Sequence, residues 1–190
     1  MAATALAVAP GTAIASSGGT PVAPDGLPPV PNIDVCAVGT GGVAPDGTTC
    51  TPLAAATLVG ARAISPSSAP VEVKAVIAAA NKISTKPYIW GGGHRRWWDR
   101  GYDCSGAVSY VLHKGGFLDS SLDSRGLMKW GEAGAGPWIT VYSNRGYAYA
   151  EIAGLRWDIA GDEAGTGPRW HTILPAAAPG TFKVRHPIGF

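Results

Sequence analysis

The chain has 190 residues, of which 27 are Gly and 16 are Pro. Many of these fall in the first third, so the compact part is shorter than the whole and one folded domain is the natural count. Hydrophobic residues make up 46%, yet no stretch approaches the roughly 20 apolar residues of a membrane span. A formal charge of +2 is too small to argue for nucleic acid or another polyanion, which calls for several clustered Lys and Arg.

The opening Met1–Pro10 carries no Lys or Arg, and Thr12-Ala-Ile-Ala-Ser16 has the small-residue spacing of a signal-peptidase site. It reads as the trailing end of a secretion signal, with a mobile Ala-rich tail as the alternative. From Ser17 to about Pro70 the composition is Pro, Gly, Ser, Thr and Ala with scattered apolar residues, too little to offset ordering entropy. Residues 1–69 are therefore expected to be a signal remnant and linker, and residues 70–190 the folded domain. Cys36 and Cys50 bracket a Gly/Thr-rich stretch and look like a disulfide loop. Such a bond would contribute roughly 3 kcal/mol and persists outside a reducing cytosol. Two free thiols in a tail remain the alternative. The third cysteine, Cys104, has no evident partner.

Pro70 opens a helical pattern in which Val73, Val76, Ile77 and Ala80 recur at i, i+3, i+4 and i+7, with Ser67 or Ser68 available as a cap. Pro87-Tyr-Ile-Trp-Gly-Gly-Gly93 ends it in a turn. A second helix is predicted from Asp103, a good N-cap residue, to the Gly115-Gly116 stop, with Cys104, Ala107, Val108, Val111 and Leu112 on one face. Short β-type runs follow over Trp138–Tyr142, Tyr147–Ile152, Leu155–Ile159 and Phe182–Arg185. Two helices and then a run of strands predict an α+β domain with an antiparallel sheet.

Placed at a helix N-terminus, Cys104 is expected to feel the partial positive charge of unpaired amides, which lowers a thiol pKa from its free value near 8.5. A buried structural cysteine is the alternative on position alone. The surrounding residues add to the case. Tyr88-Ile-Trp-Gly-Gly92, then Asp103-Cys-Ser-Gly106, then two strands joined by Ala153-Gly154 resemble the NlpC-type family of cell-wall cysteine peptidases, over residues 71–186. The resemblance implies a papain-like fold, N-terminal helices packed on a small antiparallel sheet. It also implies Cys104 as nucleophile, Tyr88 as a supporting hydroxyl, a histidine base on the following sheet, and a polar residue on the next strand to orient it. The implied substrate is a peptidoglycan stem peptide, the implied location secreted or at the bacterial cell wall, and no cofactor or metal is called for.

The hairpin locates the last two positions independently. With Ala153-Gly154 as a two-residue turn, Ile152 faces Leu155 and Tyr149 faces Asp158, so Tyr147 and Asp158 are diagonal neighbours on one face. Asp158 suits the orienter, but the position where the family has its histidine is Tyr147. A phenol with pKa near 10 is a poor proton acceptor at neutral pH. Among the four histidines, His94 in the loop before the nucleophile helix is the first candidate for a replacement base or substrate contact. His113 sits far round the same helix, and His171 and His186 lie near the last strands, with ordinary surface roles as the alternative. Trp90, Arg95 and Trp97, with Arg96, Trp98 and Arg100, form an aromatic and cationic stretch that suits a muropeptide, or else packs on the domain. The expected function is a secreted cysteine endopeptidase acting on peptidoglycan stem peptides. A peptidoglycan-binding module impaired by Tyr147 is the second reading, and acyl transfer a third.

Overall fold

The computed structural model describes residues 42–43, 49–50, 54–160, 167–172 and 180–190. The expected signal remnant and Cys36 lie outside them, and of Cys50 only the backbone is described, so the expected disulfide lies outside the described residues as well. Strands β1 (Gly42–Val43) and β2 (Thr49–Cys50) pair with each other. A second hairpin follows, β3 (Thr57–Val59) and β4 (Arg62–Ile64). Helices α1 (Val71–Ile83) and α2 (Cys104–Lys114) come next, then one turn of helix, α3 (Ser124–Leu127). The remaining strands are β5 (Glu132–Ala133), β6 (Ile139–Ser143), β7 (Ala148–Ile152), β8 (Leu155–Asp158), β9 (Arg169–His171) and β10 (Lys183–His186). They form one antiparallel sheet in the order β5-β10-β6-β7-β8-β9. The domain is α+β, with helices segregated from a meander of strands. No helix among the described residues is long and apolar enough to cross a membrane.

Alternation along the central strands divides the sheet into two faces. Ile139 and Val141 on β6, Ala148, Ala150 and Ile152 on β7, and Leu155 and Trp157 on β8 are buried against the helices. From α1 the core takes Val73, Val76, Ile77, Ala80 and Ile83, and from α2 Ala107, Val108, Val111 and Leu112, as the 3.6-residue spacing predicts. The small Ala148 and Ala150 leave room for α2 to lie close across β7. The opposite face is polar and aromatic: Tyr142 and Tyr149 stack at 4.7 Å, Arg156 lies over Tyr149 at 3.8 Å, and Tyr142 Oη donates to Glu151 at 2.9 Å.

The β7–β8 turn is the two-residue one expected, with Ile152 opposite Leu155. Both turn residues have positive φ, 46° at Ala153 and 81° at Gly154, as a primed turn requires. Alanine in this left-handed region is strained, and the surroundings hold it there. Ala153 is fully buried, its N–H donates to Trp138 O at 2.7 Å, and its carbonyl accepts from Ala56 N at 2.7 Å.

Three expectations need correction. Neither Ser67 nor Ser68 caps α1; Pro70 is the N-cap, and its ring has no polar group with which to bond the first free amides. Second, the sheet has two more strands than the β-type runs predict, because β5 and β9 are too short to show a period of two. Third, the stretch before Pro70 is not linker throughout. Ala56 and Ala63 are buried, and β4 is clamped to α1 by Asn81, whose Oδ1 accepts from Ala63 N at 2.9 Å while Nδ2 donates to Ala63 O at 2.8 Å. The same Oδ1 accepts from Trp170 Nε1 on β9 at 2.9 Å. One amide thus replaces the apolar surface the hairpin lacks. Replacing Asn81→Ala strands three half-buried polar groups and should cost about 2 kcal/mol in urea unfolding. A loss below about 0.5 kcal/mol would mean that water satisfies them equally well.

Candidate functional site

The site begins with the cap of α2. Asp103 adopts an extended conformation and its Oδ1 accepts from Gly106 N at 2.7 Å, the bond that starts the helix at Cys104. The same oxygen accepts from Ser105 Oγ at 3.1 Å and from His94 Nε2 at 3.0 Å, while Oδ2 accepts from Gly91 N at 3.0 Å. Burial raises the pKa of Asp103, but the bonds from His94 and Gly106 outweigh it and hold the carboxyl below its ordinary value. The Gly-rich turn packs directly on this helix end. A Cβ on Gly106 would lie 2.0 Å from the Gly92 carbonyl oxygen, so only glycine permits the approach.

Around Cys104 lies a cleft of about 430 Å³ lined by Tyr88, Trp90, His94, Asp103, Ser105, Asp123, Arg125, Arg145, Tyr147 and Ile159, among others. Tyr88 is held there by Ile89 N donating to Tyr102 O at 3.2 Å and Tyr102 N donating to Pro87 O at 3.1 Å. Its phenol pKa is raised by burial and by the nearby Asp103 and Cys104, so the hydroxyl stays protonated. Trp90 is 87% exposed at the cleft. Of the expected substrate contacts, two lie elsewhere. Arg95 is exposed and does not line the cleft. Trp97 stacks on His113 at 3.9 Å with its ring 3° from parallel, and its carbonyl accepts from Tyr102 Oη at 2.7 Å. The apolar area of its indole is worth more against the core than at the rim.

Tyr147 and Asp158 meet as the hairpin register predicts, the Tyr147 hydroxyl donating to Asp158 Oδ1 in a short hydrogen bond. Asp158 is 2% exposed. It also accepts from Arg156 through Nε at 2.7 Å and through a second guanidinium nitrogen, from Ile159 N at 2.7 Å and from Ala160 N at 3.2 Å. The carboxylate is saturated with donors. Burial first, and then Asp158, push the Tyr147 pKa far above the ordinary phenol value. It cannot accept a proton near neutrality.

The thiol itself departs from expectation. Burial raises the Cys104 pKa and the charge of Asp103 adds to the rise; the backbone N–H groups of Ala148 and Ser105 and the Ser105 hydroxyl pull the other way and are outweighed. Helix-terminus stabilisation is real here but smaller than the desolvation of a half-buried sulfur. Among the described residues no histidine bonds to Cys104. His94 Nε2 is engaged by Asp103 and lies 3.2 Å from Ser105 Oγ, and its Nδ1 is 2.9 Å from Ser121 Oγ. His113 Nδ1 bonds Leu118 O, and His186 bonds Gly134 O and Glu132. His171 sits on β9 opposite Arg156, with its pKa lowered by burial.

Sequence reasoning reached Asp103 only as a cap and missed Ser121, Asp123, Arg125 and Arg145 altogether. The Asp-x-Ser spacing of Asp103 and Ser105 at the helix start was the one available signal. Asp123 and Arg145 reach the cleft from loops and Arg125 from a single turn of helix, while Ser121 meets His94 from a loop, none with a period to read.

Two outcomes follow. The His94 pKa is raised, chiefly by its bond to Asp103, so its stabilising contribution is complete below the ordinary histidine value near 6.5 and is lost as pH rises through the raised value. His94→Gln should therefore lower the unfolding free energy by about 1 kcal/mol at pH 6 and by less at pH 9; a penalty independent of pH would mean that the imidazole acts only as a neutral spacer. Alkylation of Cys104 by a small neutral reagent should accelerate only as pH climbs past the free-thiol value near 8.5. Fast reaction persisting below pH 7 would reveal a cationic partner.

Compared with known protein families and with curated proteins, the chain matches none.

Proposed function

We propose that residues 71–186 form a papain-like domain of NlpC type whose Cys104 cleft binds peptidoglycan stem peptides, and that this domain is impaired as a peptidase. The observation that carries the reading is the Tyr147–Asp158 bond. The position that would hold a base beside the thiol holds a hydroxyl donor locked onto a buried carboxylate, and the thiol stays protonated. A cysteine protease needs an acceptor for the thiol proton and a donor for the leaving amine. Neither Tyr147 nor His94 is free for that exchange, because the first has a raised pKa and the second is bonded on both ring nitrogens.

Binding needs none of this. The cleft keeps the elements that suit a short polar peptide: Trp90 as an exposed aromatic face, Asp123 for an ammonium, and Arg125 and Arg145 for carboxylates. Export to the bacterial cell wall belongs to the same proposal and is supported by the small-residue spacing at Thr12–Ser16. A residual endopeptidase is the second reading, favoured by the Ala148 and Ser105 N–H groups beside Cys104, which would stabilise any thiolate that forms.

The experiment is Tyr147→His, assayed on purified peptidoglycan alongside the wild type. Wild-type protein should co-sediment with peptidoglycan and release little peptide, while the variant, with one ring nitrogen on Asp158 and the other toward Cys104, should gain about 10²–10⁴-fold in hydrolysis. Wild-type turnover equal to that of the variant would favour the endopeptidase. Failure to co-sediment would sink the stem-peptide assignment.

A further inference from the structure

A second cavity, of about 550 Å³, adjoins the Cys104 cleft. Among the described residues its lining is Arg125, Met128, Lys129, Arg145, Lys183 and Arg185, five cations and one thioether, with no carboxylate. Arg125 and Arg145 line both cavities, so the two spaces share a wall.

The cations come from three separate places. Arg125 is on α3, with Lys129 just beyond its end. Arg145 is in the turn between β6 and β7. Lys183 and Arg185 are two residues apart on β10 and so point to one face of the sheet. Arg185 is held in place by Nε donating to Met128 O at 2.9 Å. Among the described residues none of the five is in an ion pair; the carboxylates that do pair are Asp103 with His94, Asp158 with Arg156, and Glu132 with His186.

A whole chain with a formal charge of +2 gathers five of its 15 Lys and Arg around one concavity, where the like charges repel one another and would be relieved by an anion. The strand register puts Lys183 and Arg185 on one face of β10, and the Arg185–Met128 bond holds one guanidinium at the cavity. Guanidinium groups at 125, 145 and 185 provide forked donors that match planar or tetrahedral oxyanions, and Lys129 and Lys183 add point charges.

We infer that this cavity is a binding site for a multiply charged oxyanionic group, phosphate or carboxylate, on a ligand that can extend from it into the Cys104 cleft past Arg125 and Arg145. The inference does not depend on what Cys104 does or on the stem-peptide reading, since it rests on the second cavity alone.

The test is calorimetric titration of the full chain with tripolyphosphate and, separately, with citrate, at about 50 mM salt, where exposed charges are only partly screened. Saturable binding of at least one is expected, weakening as salt is raised. The double charge reversal Lys129→Glu with Lys183→Glu, two exposed side chains outside the Cys104 cleft, should weaken it by about 100-fold or more, at about tenfold for each cation removed from the anion. Lys82→Glu on α1, which lines neither cavity, should leave it unchanged. Tighter binding of tripolyphosphate assigns the site to phosphate groups, and tighter binding of citrate to carboxylates; either supports a built oxyanion site. No saturable binding of either anion, or equal binding by the doubly reversed variant, overturns it.

Discussion

The carboxylate of Asp103 is the constraint on which the rest of the site depends. One side chain begins α2 through Gly106, holds the Gly-rich turn through Gly91, orients His94 and fixes Ser105. Each bond satisfies a donor that the helix terminus or the turn would otherwise leave unpaired in a half-buried place. The position of Cys104 follows, because the residue after an N-cap has no freedom once the cap is made. The same carboxylate works against the thiol chemically. Burial raises the Cys104 pKa and the negative charge one residue away adds to the rise, while His94 pairs with that carboxylate without reaching the sulfur.

The second fixed point is Asp158, which combines a tyrosine hydroxyl, an arginine fork and two backbone N–H groups in an almost fully buried site. A buried carboxylate is tolerated only when paired and fully bonded, and Tyr147 and Arg156 supply that. In this setting Tyr147 is a structural donor that completes the shell of Asp158. The hairpin that brings the two together therefore supplies a buried carboxylate with its partner.

Charge is distributed unevenly along the connected cavities. Asp103 and Asp123 mark the end near the thiol, Lys129, Lys183 and Arg185 line the far end, and Arg125 and Arg145 stand at the boundary. A net charge near zero conceals this because the cations come from positions 125 to 185 while most of their sequence neighbours are neutral. Formal charge speaks to solubility and long-range attraction; local recognition depends on which side chains the fold gathers.

Much of the frame was legible in the amino-acid sequence. Helical periodicity placed α1, the Asp103 cap and the paired glycines bounded α2, and the Ala153-Gly154 turn set a register that put Tyr147 beside Asp158, since a two-residue turn fixes every partner along the hairpin. These are local rules, and the tyrosine at position 147 was equally visible. What only the tertiary structure decided depends on distance in sequence. Asn81 clamps a hairpin 18 residues away and a strand 89 residues away, Ser121 reaches His94 across 27 residues, and the cationic cavity is assembled from α3, a turn and the last strand. No periodicity encodes such meetings. The thiol pKa is of the same kind, because a helix terminus predicts a fall from local geometry alone, whereas the burial that reverses it is created by packing α2 against β7.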